Sequence, residues 1–98
     1  MNQNTNTIIV TRHASLVQHL REIGIASETT PVVAHATEES VRGKRVVGVL
    51  PLRLAALAES VTEVPLALAP EDRGVELPVE RIREIAGAPV TYTVGVVK

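Results

Sequence analysis

The chain has 98 residues, of which 45% are hydrophobic, with no cysteine, one aromatic side chain and a formal net charge of −1 at pH 7. This length predicts a single domain. The charge excludes a strongly basic protein that binds duplex nucleic acid nonspecifically, and the lack of cysteine excludes disulfides, thiolate catalysis and cysteine-based zinc sites.

The cellular location and the oligomeric state can also be predicted from the sequence. No apolar run approaches the roughly 18 residues that a membrane-spanning helix needs, and the polar segment 1–7 lacks the features of a signal peptide. We therefore expect a cytoplasmic protein with a disordered lead-in over residues 1–7 and one domain over residues 8–98. Because the core must form without Phe or Trp, we expect further burial through a homodimer, since two-fold dimers are the commonest oligomers.

The first half of the domain contains two predicted strands and one helix. Residues 8–11 form a short apolar strand, and apolar residues at helical spacing predict a helix over residues 15–23 that ends at Gly24. Residues 31–35 predict the second strand. The polar segment 36–44 is expected to be a loop or an irregular crossing.

In the second half of the domain, predicted strands and helices again alternate. Residues 45–50 predict a third strand, and a helix is expected over residues 52–61 because a proline before it suits a first helical turn. The apolar run 64–68 predicts a fourth strand, and residues 78–86 predict a third helix that ends before a glycine. The alternating segment 90–97 predicts a last strand at an edge of the sheet.

The predicted order is β-α-β-β-α-β-α-β, with strands that are short and almost continuously apolar. This pattern favours an α/β fold with a mainly parallel sheet covered by helices on both faces, a Rossmann-like three-layer domain. In such sheets ligands bind outside the carboxyl ends of the strands. Polar side chains follow several of the predicted strand ends or their junctions, namely Arg12, His13, His35, Arg53 and Arg73.

Arg12 and His13 are the leading candidates for a functional site because they follow the first strand directly. An arginine offers a permanent positive fork for phosphate, and a histidine titrates near neutral pH and can move a proton. The alternative is a surface arginine beside a histidine that caps the following helix. His19 lies within that helix, on the side expected to face solvent.

The other candidates have weaker support. His35 either joins the site or is a loop residue bonded to backbone. The junction around Leu50 and Pro51 predicts an anion site at a helix N-terminus, and Arg53 either reaches the ligand or is only solvated. Arg73, before Gly74, either clamps phosphate or pairs with a neighbouring carboxylate.

Several other activities are disfavoured by motifs that the sequence does not contain. The three histidines show no regular His-x-x-x-His pair or clustered carboxylate, so we expect no metal site. The Leu50–Pro51 junction is not a Walker loop, and no Gly-x-Gly-x-x-Gly is present, which disfavours dinucleotide cofactors. The serines lack a Gly-x-Ser-x-Gly context, so a hydrolase triad is not supported.

Four segments, in this order, resemble one protein family: Ile-Val-Thr-Arg-His at 9–13, Val-Ala-His at 33–35, Val-Gly-Val-Leu-Pro-Leu-Arg-Leu-Ala-Ala at 47–56, and Arg-Gly-Val-Glu-Leu at 73–77. The chain resembles the ring nucleases, small CRISPR-associated accessory proteins of type III systems, over roughly residues 8 to 94. It differs from the group at residues 68–70 and at Arg53, where a histidine is common.

The resemblance implies a fold related to the CRISPR-associated Rossmann domains and a homodimer that acts without a cofactor or a metal. It implies that the protein binds cyclic oligoadenylate, chiefly cyclic tetra-adenylate, and cuts it to linear products with 2′,3′-cyclic phosphate ends, which ends the antiviral signal. On this basis we expect catalysis by Arg12, His13 and Arg73. Ligand contacts are expected from Thr11, His35, Leu50, Pro51, Arg53 and Gly74.

Three other functions compete with this one. A protein of the same fold could sequester the cyclic nucleotide without cutting it, and the same arginines would serve. A phosphotransferase similar to the histidine phosphatases is disfavoured, because Ala14 stands where that motif has glycine and because the chain is short. A structural dimerisation domain would bind no nucleotide.

Overall fold

A computed structural model describes residues 6–98, which form a five-stranded sheet with helices on both faces. The strands are β1 Thr7–Val10, β2 Val32–Val33, β3 Arg45–Gly48, β4 Ser60–Glu63 and β5 Val90–Tyr92. The helices are α1 Ala14–Glu22, α2 Glu38–Val41, α3 Leu52–Ala55 and α4 Val79–Ile85, with a 3₁₀ turn at Pro70–Asp72. The prediction of an α/β fold with a mainly parallel sheet is confirmed.

The sheet has the order β2-β1-β3-β4-β5, in which the first four strands are parallel and β5 runs antiparallel to β4. The chain leaves β1 for the edge strand β2 and then crosses back over β1 to β3. The connections after β1 and β3 therefore diverge and leave a crevice at the carboxyl ends of these two strands. This topological switch point is where open α/β sheets bind their ligands.

Alternating side chains of the strands supply two cores. Ile8 and Val46 face the layer that contains α2 and α3, whereas Ile9 and Val47 face the layer of α1. Ile9 is completely buried, as expected for a central parallel strand that is covered on both faces. α4 lies beside α1, where Arg83 donates two hydrogen bonds to Glu22, at 2.5 and 3.0 Å. This bidentate pair lowers the pKa of Glu22 below its ordinary value.

The predicted helix over residues 52–61 begins at the right residue but is too long, and the predicted strand over residues 64–68 is wrong. Helix α3 ends at Ala55, and the fourth strand is Ser60–Glu63, where Val61 pairs with Val46 of β3. The β-branched residues 61 and 62 suit a strand, and the partner strand supplies their hydrogen bonds. Pro65 cannot donate to a ladder, and the run 64–68 makes only an isolated bridge to Ala86.

The segment expected to be a loop between the second and third strands contains α2. Thr37 caps this helix: its hydroxyl accepts from the Ser40 N–H at 3.1 Å, and the Ser40 hydroxyl accepts from the Thr37 N–H at 2.8 Å. This reciprocal capping box begins a helix in a segment whose polar composition predicted a loop, and its Ser40 stands where the usual sequence signature has Glu or Gln. Because α2 lies between β2 and β3, each pair of successive parallel strands is joined through a helix.

The other boundaries differ less. β2 is shorter than predicted, and His35 lies in a bend after it; the last strand pairs only over Val90–Tyr92, at an edge as predicted. Residues 1–5 of the predicted lead-in lie outside the described residues, and Thr7 already begins β1.

His19 was expected to face solvent, and this is wrong: it is buried beside Leu20 in α1. None of the helices within residues 6–98 has the length and apolar character to cross a membrane.

Candidate functional site

The candidate site begins where β1 ends. The Thr11 N–H donates to the Val33 carbonyl at 3.1 Å, which extends the β1–β2 pairing by one residue. The chain then turns: the His13 N–H donates to the Thr11 hydroxyl at 3.2 Å, and the His13 carbonyl accepts from Val17 N–H at the start of α1. Arg12 and His13 are thereby held, exposed, between the central strand and its helix.

The His13 side chain does not cap the helix, although the residue occupies the N-cap position. Its Nδ1 lies 3.1 Å from Oε1 and 3.3 Å from Oε2 of Glu76, a residue that precedes α4. Because an ionised carboxylate only accepts hydrogen bonds, this contact assigns the ring proton to Nδ1. Among the described residues, no group is bonded to Nε2 of His13.

The segment that carries Glu76 is attached to α4 by a buried carboxylate. Asp72 accepts two hydrogen bonds from Arg81, at 2.7 and 3.1 Å, and one from the Ala69 N–H at 2.8 Å. These bonds, that of Arg81 above all, hold the pKa of Asp72 below its ordinary value and raise the pKa of Arg81, although burial opposes both shifts. After Asp72 the chain turns at Gly74, whose φ of 78° favours glycine.

Two arginines differ from the others in having no partner. Within residues 6–98, Arg12 and Arg73 form no ion pair and no side-chain hydrogen bond, and both are exposed. Asp72, which was a possible partner of Arg73, binds Arg81, and Glu76 binds His13. The structure therefore leaves two guanidinium groups available to an anion near the carboxyl edge of the sheet.

His13 lies where three clefts of the described structure meet. A cleft of about 800 Å³ between α1 and β2 and a cleft of about 360 Å³ at the β1–β3 switch point both include Arg12 and Thr11. A third cleft, of about 470 Å³, is lined by Arg73, Gly74 and Glu76. The predicted residues Thr11, Arg12, Arg73 and Gly74 thus line clefts that share His13.

Three of the remaining predicted residues line a further cleft that includes Arg12 but not His13. His35, Leu50 and Pro51 line a cleft of about 350 Å³ that also includes Arg12. Arg53 is not among the residues lining this cleft; its Nη1 lies 2.6 Å from Oε2 of Glu38 in α2. Helix α3, at whose N-terminus the anion site was predicted, has only four residues.

The floor of the switch-point cleft depends on Gly48, the last residue of β3. A Cβ atom at this position would lie 2.4 Å from the Val10 carbonyl oxygen, and the φ of Gly48 is 145°. A side chain here would push β3 away from the end of β1, which carries Arg12 and His13. The glycine thus allows the close approach of the two strands whose ends form the site.

Sequence reasoning missed the contact between His13 and Glu76. The two residues are 63 positions apart, and no local pattern indicates that they meet. His19 has a buried Nδ1 without a hydrogen-bond partner among the described residues. Residues 6–98 contain no cluster of three or more histidine, aspartate and glutamate side chains that could hold a metal ion.

Comparison with known proteins identifies a family. A family model described as "Putative CRISPR-associated protein (Cas_VVA1548)" matches residues 8–95, which include both cores and every residue of the candidate site. No curated protein and no solved structure matches the chain.

Proposed function

The chain belongs to this family of CRISPR-associated proteins, and on that premise we propose that it is a ring nuclease, which binds cyclic oligoadenylate and cleaves it. One observation carries the proposal. An imidazole with its Nδ1 proton held by a carboxylate lies at the meeting point of clefts lined by the two unpartnered arginines, Arg12 and Arg73. This combination suits a phosphodiester, which needs charge neutralisation and proton transfer to be cut.

Binding is expected to depend on local charge. The chain has a net charge of −1, so no general electrostatic attraction draws a polyanion to it. Arg12 and Arg73 are exposed and carry no carboxylate partner among residues 6–98, so a phosphate can bind them without breaking an ion pair. Arginine also matches phosphate geometry with two parallel N–H donors.

The proposed reaction uses the ligand's own ribose as nucleophile. The 2′-oxygen attacks the adjacent phosphorus, the bond from phosphorus to the 5′-oxygen breaks, and a 2′,3′-cyclic phosphate forms. Nε2 of His13 accepts the proton of the 2′-hydroxyl, and the leaving 5′-oxygen takes a proton from water or from a second acid. Arg12 and Arg73 neutralise the negative charge that builds on the phosphate oxygens. Neither the attack on phosphorus nor the proton transfer requires a metal ion.

A homodimer would match the symmetry of the ligand. Cyclic tetra-adenylate presents two equivalent halves, so two copies of one site could engage two phosphates across a two-fold axis. Apolar side chains that are exposed in the single chain support this partner: Val49, Leu52 and Tyr92 surround a cleft beside the edge strand β5. Exposed apolar patches of this kind mark interaction surfaces.

Incubation with cyclic tetra-adenylate in EDTA, with products identified by mass spectrometry, tests the proposal. We expect linear di-adenylate with a cyclic phosphate end. His13→Ala should lower turnover about 10²–10⁴-fold, the usual range for loss of general acid–base help, while affinity measured by calorimetry stays close to wild type. Glu39→Ala is the control, because it removes an exposed side chain of α2 that lines none of the clefts around Arg12 and His13.

The outcomes separate the candidate functions. An intact ring that binds tightly would indicate a sequestering protein, and His13→Ala would then change little. An intact ring without binding would overturn both activities and leave a structural domain.

A further inference from the structure

We infer that Glu76 is a positioning residue for His13: it holds the proton on Nδ1 and orients the ring so that Nε2 faces the ligand as a base. This inference rests on the proposed function for its catalytic meaning, although the contact itself can be tested without substrate. Glu76 would not touch the reacting atoms; it would act on the reaction through the imidazole.

The contact geometry supports this role. Both carboxylate oxygens approach Nδ1, at 3.1 and 3.3 Å, so the ring nitrogen is directed at the carboxylate as a whole. In a neutral imidazole one nitrogen donates and the other accepts. A carboxylate at Nδ1 therefore leaves Nε2 as the acceptor, which is the nitrogen that must take the proton of a nucleophile.

His13 and Glu76 are held near each other by contacts of their backbone segments. The side chains of His13 and Glu76 are 59% and 62% exposed, and an exposed pair of this kind contributes little by itself. Their backbones, however, are held independently. His13 is fixed by Thr11 and by the first turn of α1, and the Glu76 segment is fixed by the ion pair of the buried Asp72 with Arg81 and by the start of α4.

The charge of Glu76 distinguishes a positioning role in catalysis from a structural role. The carboxylate lines the same cleft as Arg73 and so brings negative charge to a surface that is proposed to bind phosphate. For binding alone this charge is unfavourable, because like charges repel. Removal of the carboxylate should therefore lower the rate while leaving ligand affinity equal or greater, whereas a merely structural residue would weaken both.

The experiment compares Glu76→Ala with Glu71→Ala. Glu71 is an exposed carboxylate in the same segment with no partner among residues 6–98, so its removal changes the net charge equally. Turnover of cyclic tetra-adenylate, its dissociation constant and the ¹H–¹⁵N correlations of the His13 ring are measured for each protein. His13→Ala assigns the ring signals.

For Glu76→Ala we expect kcat at least tenfold lower, an unchanged or smaller dissociation constant, and loss of the Nδ1–H signature of His13. Glu71→Ala should match wild type in all three. Equal kcat and equal ring spectra in the two variants would overturn the inference. If wild-type protein does not cleave the ring, the proposed function fails, and the ring spectra alone decide whether Glu76 holds the His13 proton.

Discussion

Replacement of Gly48 by alanine tests whether the site depends on close contact between the ends of β1 and β3. The added Cβ would lie 2.4 Å from the carbonyl oxygen and 3.3 Å from the carbonyl carbon of Val10. Val10 and Gly48 are paired residues of neighbouring central strands, so no side-chain rotation can relieve the overlap. The backbone of one strand must move, and with it the end of β1 that leads into Arg12 and His13.

The magnitude follows from two contributions. A non-glycine residue at a φ of 145° carries backbone strain of about 1–3 kcal/mol. Overpacking against an immobile neighbour adds about 1–3 kcal/mol. Their sum, about 2–6 kcal/mol, is a large part of the roughly 5–15 kcal/mol that stabilises a domain. For a domain of this length we expect the melting temperature to fall by roughly 10 °C or more.

Thermal and urea unfolding followed by circular dichroism measures the effect, and Gly24→Ala is the matched control. Gly24 has a φ of 85°, but nothing lies within 4 Å of the point that a Cβ atom would occupy, so alanine there meets strain without overlap. We expect it to cost about 1–2 kcal/mol. A loss of stability for Gly48→Ala no larger than for Gly24→Ala would refute the claim that strand contact at the switch point requires glycine.

Two further predictions concern the charged groups. Because Arg81 holds the pKa of Asp72 below its ordinary value, this carboxylate stabilises the fold above its unfolded-state pKa, and the stabilisation is lost as pH falls through the folded-state pKa. Asp72→Asn should therefore flatten the acid limb of stability in urea titrations; an unchanged limb would contradict the role of the pair. Arg12→Gln should weaken binding of cyclic tetra-adenylate about tenfold or more, as expected for loss of a charge-assisted hydrogen bond. Arg53→Gln should change it less than twofold in calorimetry because Glu38 already binds Arg53; equal losses would contradict this assignment.

Local patterns were sufficient to predict the fold class. Short apolar strands separated by helical segments indicated a mainly parallel sheet, and the polar pair after the first strand indicated the carboxyl edge as the site. Both predictions depend on residues that are adjacent in sequence. Arg12 and His13 follow Val10 directly, so they must lie at the end of β1 once that strand is in the sheet.

The errors came from segments whose structure depends on a partner. The alanine-rich stretch after Pro51 has good helix propensity, yet it yields to a strand at Ser60 because β3 offers an unpaired edge to residues 60–62. Burial of His19 depends likewise on packing around α1, which helical periodicity estimates only approximately. Propensity is a weak prior when tertiary hydrogen bonds compete with it.

Local sequence patterns are sufficient to establish the α/β class and the first strand with the basic pair that follows it. Which charged groups lack a partner depends on the packing of distant segments: Arg81 pairs with Asp72, Arg53 pairs with Glu38, and Arg12 has no partner among residues 6–98. The same packing brings Glu76 to His13 across 63 residues. Strand and turn signals act over a few residues, whereas ion pairing depends on how α1, α4 and the segment between β4 and α4 pack together.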